Sequence, residues 1–167
     1  TVLIASTYPA HDLRFPWGSN PVTDVMLGGV VPLLHDGSAC NKLAKISEFA
    51  SDAEMAANVR VCWQGDRKDA NCGRCFKCLT TQVGFWLADV PHPKAFDRPS
   101  RVGELKHLHI KNAVNYRLVI NLRDKAIRSE RHDIAEALGQ ALRRSRLHKR
   151  FLISQCLGAI GINLERI

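Results

Sequence analysis

Four of the six cysteines fall within residues 62–78, in the pattern C-x9-C-x2-C-x2-C. Two residues between cysteines is the spacing that lets two sulfurs reach one metal ion from a tight turn. Gly73 supplies the permissive backbone that such a turn needs. If the last two cysteines lie at the start of a helix, all four thiolates can close a tetrahedral shell, which is the structural kind of metal site. The predicted ligands are Cys62, Cys72, Cys75 and Cys78.

Zinc is the metal that this spacing predicts, because a closed four-thiolate shell is typical of structural zinc. An iron–sulfur cluster accepts the same four ligands, and disulfides or buried free thiols are the remaining interpretations. Clustered cysteines without a visible export signal favour a reducing compartment, so the predicted location is the cytoplasm. Cys40 and Cys156 are expected to be free thiols outside the site.

The cysteine segment resembles the zinc-binding C-terminal part of the PP-loop ATP pyrophosphatases, an adenine nucleotide alpha hydrolase-like family that includes the 7-cyano-7-deazaguanine synthases. In that family a Cys followed by Trp or Tyr precedes a Cys-Gly-x-Cys-x-x-Cys cluster. Some members add a Pro-Trp-Gly-Ser and a His-Asp-Gly segment upstream. The similarity covers residues 1–90, and the matching segments here are Pro16-Trp17-Gly18-Ser19, His35-Asp36-Gly37, Cys62-Trp63 and Cys72-Gly73-Arg74-Cys75-Phe76-Lys77-Cys78.

The resemblance implies a ligase-type enzyme that uses ATP and Mg²⁺ to adenylate a carboxylate or similar group of a small-molecule substrate, and then transfers a nitrogen or other nucleophile. The zinc would order the substrate-side wall and do no chemistry. The family holds the pyrophosphate of ATP with a Ser-Gly-Gly-x-Asp-Ser loop, which this sequence lacks, together with any Walker or G-x-G-x-x-G loop. We therefore assign no catalytic residue, and we expect the chain to be a fragment that begins within a fold, since Thr1 leads directly into an apolar run.

The pattern in residues 1–90 predicts an α/β domain with a partial parallel sheet and flanking helices. Val2–Ala5 is an unbroken apolar run, which favours a central parallel strand covered on both faces. A second strand is predicted over Val30–Leu34, where Pro32 favours an edge position. Helices are predicted from Ser38 to residue 50, over 53–58, and from the cysteines to Asp89.

Three polar residues beside these strands are candidate ligand contacts. Ser19 lies in the Pro- and Gly-rich loop that resembles the family's active cleft, although capping a helix is its simpler role. His35 and Asp36 follow the second strand, where open α/β sheets bind ligands, although a solvated turn explains them equally. Relatives often carry an Arg where this chain has Asn41, while the nearby Lys of their pattern is kept as Lys45.

Residues 91–167 are predicted to be a basic helical C-terminal region. Its first residues, 91–103, are predicted to be a connection. Residues 101–167 carry 14 Lys and Arg against 6 Asp and Glu, so they hold the whole net charge of +8. Five of the residues 143–150 are Lys or Arg, at the end of a helix whose other face is apolar. The alternative function is therefore a non-catalytic zinc-binding module that binds nucleic acid or an acidic partner. A solvated helix end is the structural explanation of the same charges. With no long apolar run, no membrane contact is predicted.

Overall fold

Two compact units, Thr1–Asp52 and Ala53–Ile167, make up the fold, and we describe each by itself. The computed structural model describes residues 1–6, 32–63 and 69–145. The mixed α/β composition and the small parallel sheet predicted from the sequence are present. None of the described helices combines the length and the apolar character needed to cross a membrane. The domain division at residue 90 stays a prediction.

The sheet of the first unit consists of β1, Val2–Ala5, and β2, Leu33–Asp36, which pair in parallel. Its ladder starts where the Val2 N–H donates to the Pro32 carbonyl at 2.9 Å, and it ends where the Ser6 N–H donates to the Asp36 carbonyl at 2.8 Å. Proline has no N–H to donate, so β2 begins after Pro32 and not at Val30. The prediction that His35 and Asp36 follow the strand was wrong: they are its last two residues.

The apolar side chains of this sheet are largely exposed. Val2 is 45% exposed, Leu3 71% and Leu34 52%. The prediction that β1 is covered on both faces is therefore wrong for this structure. Parallel sheets are normally buried on both sides, so the sheet as it stands leaves an unusual amount of apolar surface in contact with solvent.

Helix α1, Lys42–Phe49, follows the sheet. Asn41 caps it, since its Oδ1 accepts a hydrogen bond from the Ala44 N–H at 3.0 Å. The helix therefore begins four residues later than the predicted start at Ser38, and Asn41 has a structural role as its N-cap. Ile46 of this helix and Ala50, its C-cap residue, are buried.

The second unit is helical. It contains α2, Ala53–Asn58; α3, Phe76–Trp86; a 3₁₀ helix, Val102–His107; α4, Ala113–Arg128; and α5, His132–Arg144. Helix α3 ends at Trp86, before the predicted end at Asp89, which has a positive φ of 59°. Residues 108–112 are not helical, so the expectation of continuous helix from residue 104 was wrong there.

Helix α5 packs against α4 and the 3₁₀ helix, and α4 also contacts α3. The apolar face predicted for α5 is confirmed, since Ile134, Ala137, Leu138, Ala141 and Leu142 are buried. Leu105 of the 3₁₀ helix and Val119 and Leu122 of α4 are fully buried in the same core. Arg143 and Arg144 at the end of α5 are exposed, while the predicted cationic residues 146–150 lie outside the described residues.

Candidate metal centre

The four predicted cysteines come together in the second unit, with all four Sγ atoms within 4.8 Å of one another. The Sγ of Cys62 lies 3.4 Å from that of Cys72 and 3.8 Å from that of Cys75, and the Cys72 and Cys78 sulfurs are 3.9 Å apart. Four thiolates held tetrahedrally at about 2.3 Å from one ion lie about 3.8 Å from each other. The cluster can therefore hold a metal ion.

The alternative of disulfides does not hold for the described cysteines, all of which are free thiols: Cys40, Cys62, Cys72, Cys75 and Cys78. Sulfur atoms in a disulfide are about 2.05 Å apart, well below the separations in the cluster. Cys40 lies in the first unit, in keeping with its predicted place outside the site, and Cys156 lies outside the described residues.

Helix α3 presents two of the four ligands, as the sequence predicted. Cys75 is the N-cap residue, with φ −75° and ψ 164°, and Cys78 lies in the first turn. The Cys75 carbonyl accepts the helical hydrogen bond from the Leu79 N–H at 2.9 Å. The partial positive charge of a helix N-terminus stabilises thiolates at this position. Residues 78–86 are all buried, so the two ligands are anchored on a rigid element.

Gly73 forms the turn between Cys72 and Cys75, with a positive φ of 72°. A Cβ atom at this position would lie 2.2 Å from the Arg98 carbonyl oxygen, so no other residue fits. The Gly73 carbonyl accepts hydrogen bonds from Gln82 Nε2 at 3.0 Å and from the Ser100 hydroxyl. Gln82, which is 1% exposed, also accepts from the Ser100 N–H at 2.9 Å. The cysteine turn is thereby fixed to both α3 and residues 98–100.

Asn71 brings the Cys62 segment to this turn. Its Oδ1 accepts hydrogen bonds from the backbone N–H groups of Val61 at 2.9 Å and Cys62 at 3.0 Å, and from the Arg60 guanidinium at 3.3 Å. Its Nδ2 donates to the carbonyls of Val59 at 2.6 Å and Ala95 at 2.8 Å. Asn71 is 1% exposed, and its one buried amide therefore joins residues 59–62 and Ala95 to the cysteine turn.

The backbone of Asn71 extends this framework to α3. It forms an isolated parallel bridge with Phe96, and its carbonyl accepts from the Asp97 N–H at 3.1 Å. The Phe96 ring packs edge-on against Phe85 of α3, with ring centroids 6.3 Å apart and an interplanar angle of 81°. All three chain segments that carry cysteines are consequently tied to one buried helix.

Burial favours the neutral form of two of the four thiols when no cation is present. Burial raises the pKa of the Cys78 thiol, and the neighbouring Cys75 thiol raises it further. Burial also raises the pKa of Cys75, against a hydrogen bond from the Cys78 backbone that lowers it. A metal ion must therefore displace protons to bind here, because only thiolates act as ligands.

Two cationic residues lie among the cysteine ligands along the chain. Arg74 and Lys77 lie between or beside the ligands and are exposed. The Lys77 ammonium lies over the ring of Trp63, 4.9 Å from its centroid, and Trp63 is 75% exposed. One divalent ion with four thiolates carries a net charge of −2, so nearby cations and the N-terminus of α3 offset it.

The other candidate site residues belong to the first unit. His35 and Asp36 form the carboxyl end of β2, and Gly37 follows with a positive φ of 70°. The Lys45 ammonium reaches back over Gly37 from α1 and donates to the Ser6 carbonyl, beside the end of β1, at 3.0 Å. Ser19 lies outside the described residues. A ligand-binding role for Ser19, His35 or Asp36 stays a prediction.

Two residues important to the centre were missed by the sequence analysis, Asn71 and Gln82. The available signal was positional: Asn71 stands directly before the first Cys-x-x-Cys, and an amide can both donate and accept. Gln82 lies three residues after Leu79 and directly before Val83, next to apolar positions of its helix. These positions favour buried hydrogen-bonding roles for Asn71 and Gln82.

Comparisons with known proteins add no family: neither the protein-family models, nor the curated proteins, nor the solved structures contain a match to this chain.

Asn71→Asp should destabilise the second unit, although it preserves shape and one acceptor oxygen. The variant loses the donor to the Val59 and Ala95 carbonyls and buries a carboxylate, and each buried group left unsatisfied costs about 1–3 kcal/mol. We expect urea unfolding of the metal-loaded protein to show a loss of about 3 kcal/mol or more, with faster metal loss to a chelator.

Asn112→Asp is the matched control. Asn112 caps α4 through its Oδ1, which accepts from the Asn115 N–H at 2.9 Å, and Asp caps a helix as well as Asn does. This control should unfold like the wild type. Equal stability of the Asn71→Asp variant and the control would contradict the role given to Asn71.

Metal binding should release close to four protons per chain at pH 7. Free thiols ionise near pH 8.5, and the raised pKa values of Cys75 and Cys78 keep these two protonated well above neutrality. Affinity should therefore fall as the pH falls, because protons compete with the metal for the same sulfurs. Calorimetric titration of Zn²⁺ into metal-free protein, in buffers of different ionisation enthalpy, measures the proton count. Release of one proton or none would exclude a four-thiolate site.

Proposed function

We propose that the cysteine cluster binds one Zn²⁺ as a structural centre. The support is the ligand set: four thiolates fill a tetrahedral shell and leave no position for a substrate. Three of the six sulfur–sulfur separations in the cluster are 3.4–3.9 Å, and all six are within 4.8 Å, which suits a single ion. A cluster of several irons occupies more space and holds its cysteine sulfurs farther apart, so zinc is favoured over the iron–sulfur alternative.

We further propose that the chain is the C-terminal part of an ATP-dependent adenylating enzyme of the PP-loop kind. The observation that carries this proposal is the carboxyl edge of the parallel pair β1–β2, where His35, Asp36 and the Lys45 ammonium gather. Ligands of open α/β sheets bind at this edge. The resemblance of the cysteine segment to that family supports the same assignment.

The exposed faces of the sheet agree with this proposal. A two-stranded sheet is marginal by itself, and parallel sheets are normally covered on both faces. Leu3 is 71% exposed and Leu34 is 52% exposed. Such exposure is expected if further strands and helices of the intact protein cover the sheet. The intact enzyme would also have to supply the Ser-Gly-Gly-x-Asp-Ser loop that this sequence lacks.

In the proposed reaction, a carboxylate oxygen of the small-molecule substrate attacks the α-phosphorus of Mg²⁺-bound ATP, and pyrophosphate leaves. A nitrogen or other nucleophile then attacks the acyl carbon, and AMP leaves. Lys45 is the described residue best placed to offset phosphate charge at the strand ends, because its ammonium is held at this edge by the Ser6 carbonyl. The zinc centre would stiffen the substrate-side wall.

Lys45→Ala should weaken nucleotide binding by about tenfold, the loss expected for one charge-assisted contact of about 1.4 kcal/mol. The measurement is calorimetric binding of Mg²⁺ and α,β-methylene-ATP to the intact protein, which requires no knowledge of the acceptor. Lys42→Ala, at the start of the same helix α1, removes the same charge and should bind like the wild type. Absence of binding at millimolar nucleotide, or equal affinities of the two variants, would argue against the proposed enzyme.

A further inference from the structure

A cationic cleft of about 670 Å³ lies between residues 106–111 and the end of α5, within the second unit. Five of the residues that line it are basic, and none is acidic. The basic residues are Lys106, His107, His109, Lys111 and Arg144, and all five are exposed. The cleft lies apart from the cysteine ligands, none of which lines it.

From the last residue of the 3₁₀ helix onward, exposed basic residues alternate with buried apolar residues. His107, His109 and Lys111 are exposed, while Leu108 and Ile110 are 7% and 9% exposed. The three basic side chains therefore form a row on the exposed side of this segment, and the two buried apolar side chains anchor it to the core. This row is built into the core and is therefore not a loose surface segment.

Helix α5 closes the other side of the cleft. Arg144 NH1 lies within hydrogen-bonding distance of His107 Nδ1, at 3.4 Å, so the end of α5 contacts the end of the 3₁₀ helix. The burial of Leu138 and Leu142 against the core holds this end of the helix in place. The fold thus gathers three permanently charged groups, Lys106, Lys111 and Arg144, around one cleft, and these charges attract an anion.

Protein carboxylates do not provide that anion within the part of the chain that the structure describes. The nearest acidic residue in sequence, Glu104, pairs with Arg98 at 3.0 Å and accepts from the Arg101 N–H. None of the ion pairs among the described residues involves a basic residue of the cleft. The cations of the cleft are consequently available to a ligand.

We propose that this cleft binds the sugar–phosphate backbone of a nucleic acid strand. The basic lining residues are spread over residues 106–111 and the end of α5, a larger set than a single phosphate requires, and this suits a chain of phosphates. The cleft lining contains no Phe, Tyr or Trp, so we expect the strand to be bound mainly through its phosphates, with little sequence preference. This binding is independent of the proposed adenylation and of the cysteine centre.

The test is fluorescence anisotropy of the zinc-loaded full chain with labelled 20-nucleotide oligouridylate and oligoadenylate. Three phosphate contacts to a single strand predict an affinity that falls about 20-fold between 50 and 200 mM salt. The triple substitution Lys106→Gln, Lys111→Gln, Arg144→Gln should weaken binding and reduce the slope of log K against log salt by about 2. Both oligonucleotides should respond alike.

A second triple variant controls for net charge, because it removes the same number of positive charges from exposed positions of the same unit: Lys94→Gln, Lys125→Gln and Arg128→Gln. It should keep the wild-type salt slope, and both triple variants should melt like the wild type. Equal binding by the cleft variant and the control would overturn the proposal. Competition by poly-L-glutamate that matches oligouridylate per charge would assign the cleft to an acidic protein, and a strong preference between the oligonucleotides would contradict backbone binding.

Discussion

The side-chain amide of Asn71 is the constraint on which the cysteine centre depends. Cys62 is ten residues away from Cys72 along the chain, yet their sulfurs lie 3.4 Å apart. The amide achieves this by accepting from the backbone of Val61 and Cys62 and donating to Val59 and Ala95. Asn71 is 1% exposed and the Cys62 N–H is buried with it, so losing these bonds leaves buried polar atoms unsatisfied. The position of the fourth ligand therefore rests on a single residue that is not a ligand.

A metal ion would add to the free energy of folding beyond what the hydrogen bonds of Asn71 contribute. The cluster contains two thiols whose pKa values are raised by burial, packed against two others. Deprotonating four adjacent thiols without a cation is unfavourable, whereas structural zinc contributes on the order of 10 kcal/mol to folding. Since Cys75 and Cys78 begin the most buried helix of the unit, the ion would couple the turn at Gly73 to the core formed by α3, α4 and α5.

The ligands and several elements were predictable because their signals are local. The C-x2-C-x2-C spacing predicted both the cluster and the helix start at Cys75, and the apolar run Val2–Ala5 predicted a strand. Other features depend on partners distant in sequence. Asn71 owes its role to backbone groups around Val59 and Ala95, and β2 starts where Pro32 allows the ladder to begin. The helix start at Asn41 was missed because Ser38 is an equally good cap. Residues 108–111 were taken as helical, although the alternation of basic and apolar residues from His107 to Lys111 does not follow a helical period.

The central claim is that four thiolates hold one zinc ion in this chain, and the coordination shell itself tests it most directly. Zinc K-edge X-ray absorption on the purified protein, combined with elemental analysis, reports the metal, its stoichiometry and its ligands. We expect one zinc per chain, bound by four sulfurs at about 2.3 Å. A chain without stoichiometric metal, a shell containing nitrogen or oxygen, or iron in place of zinc would contradict it.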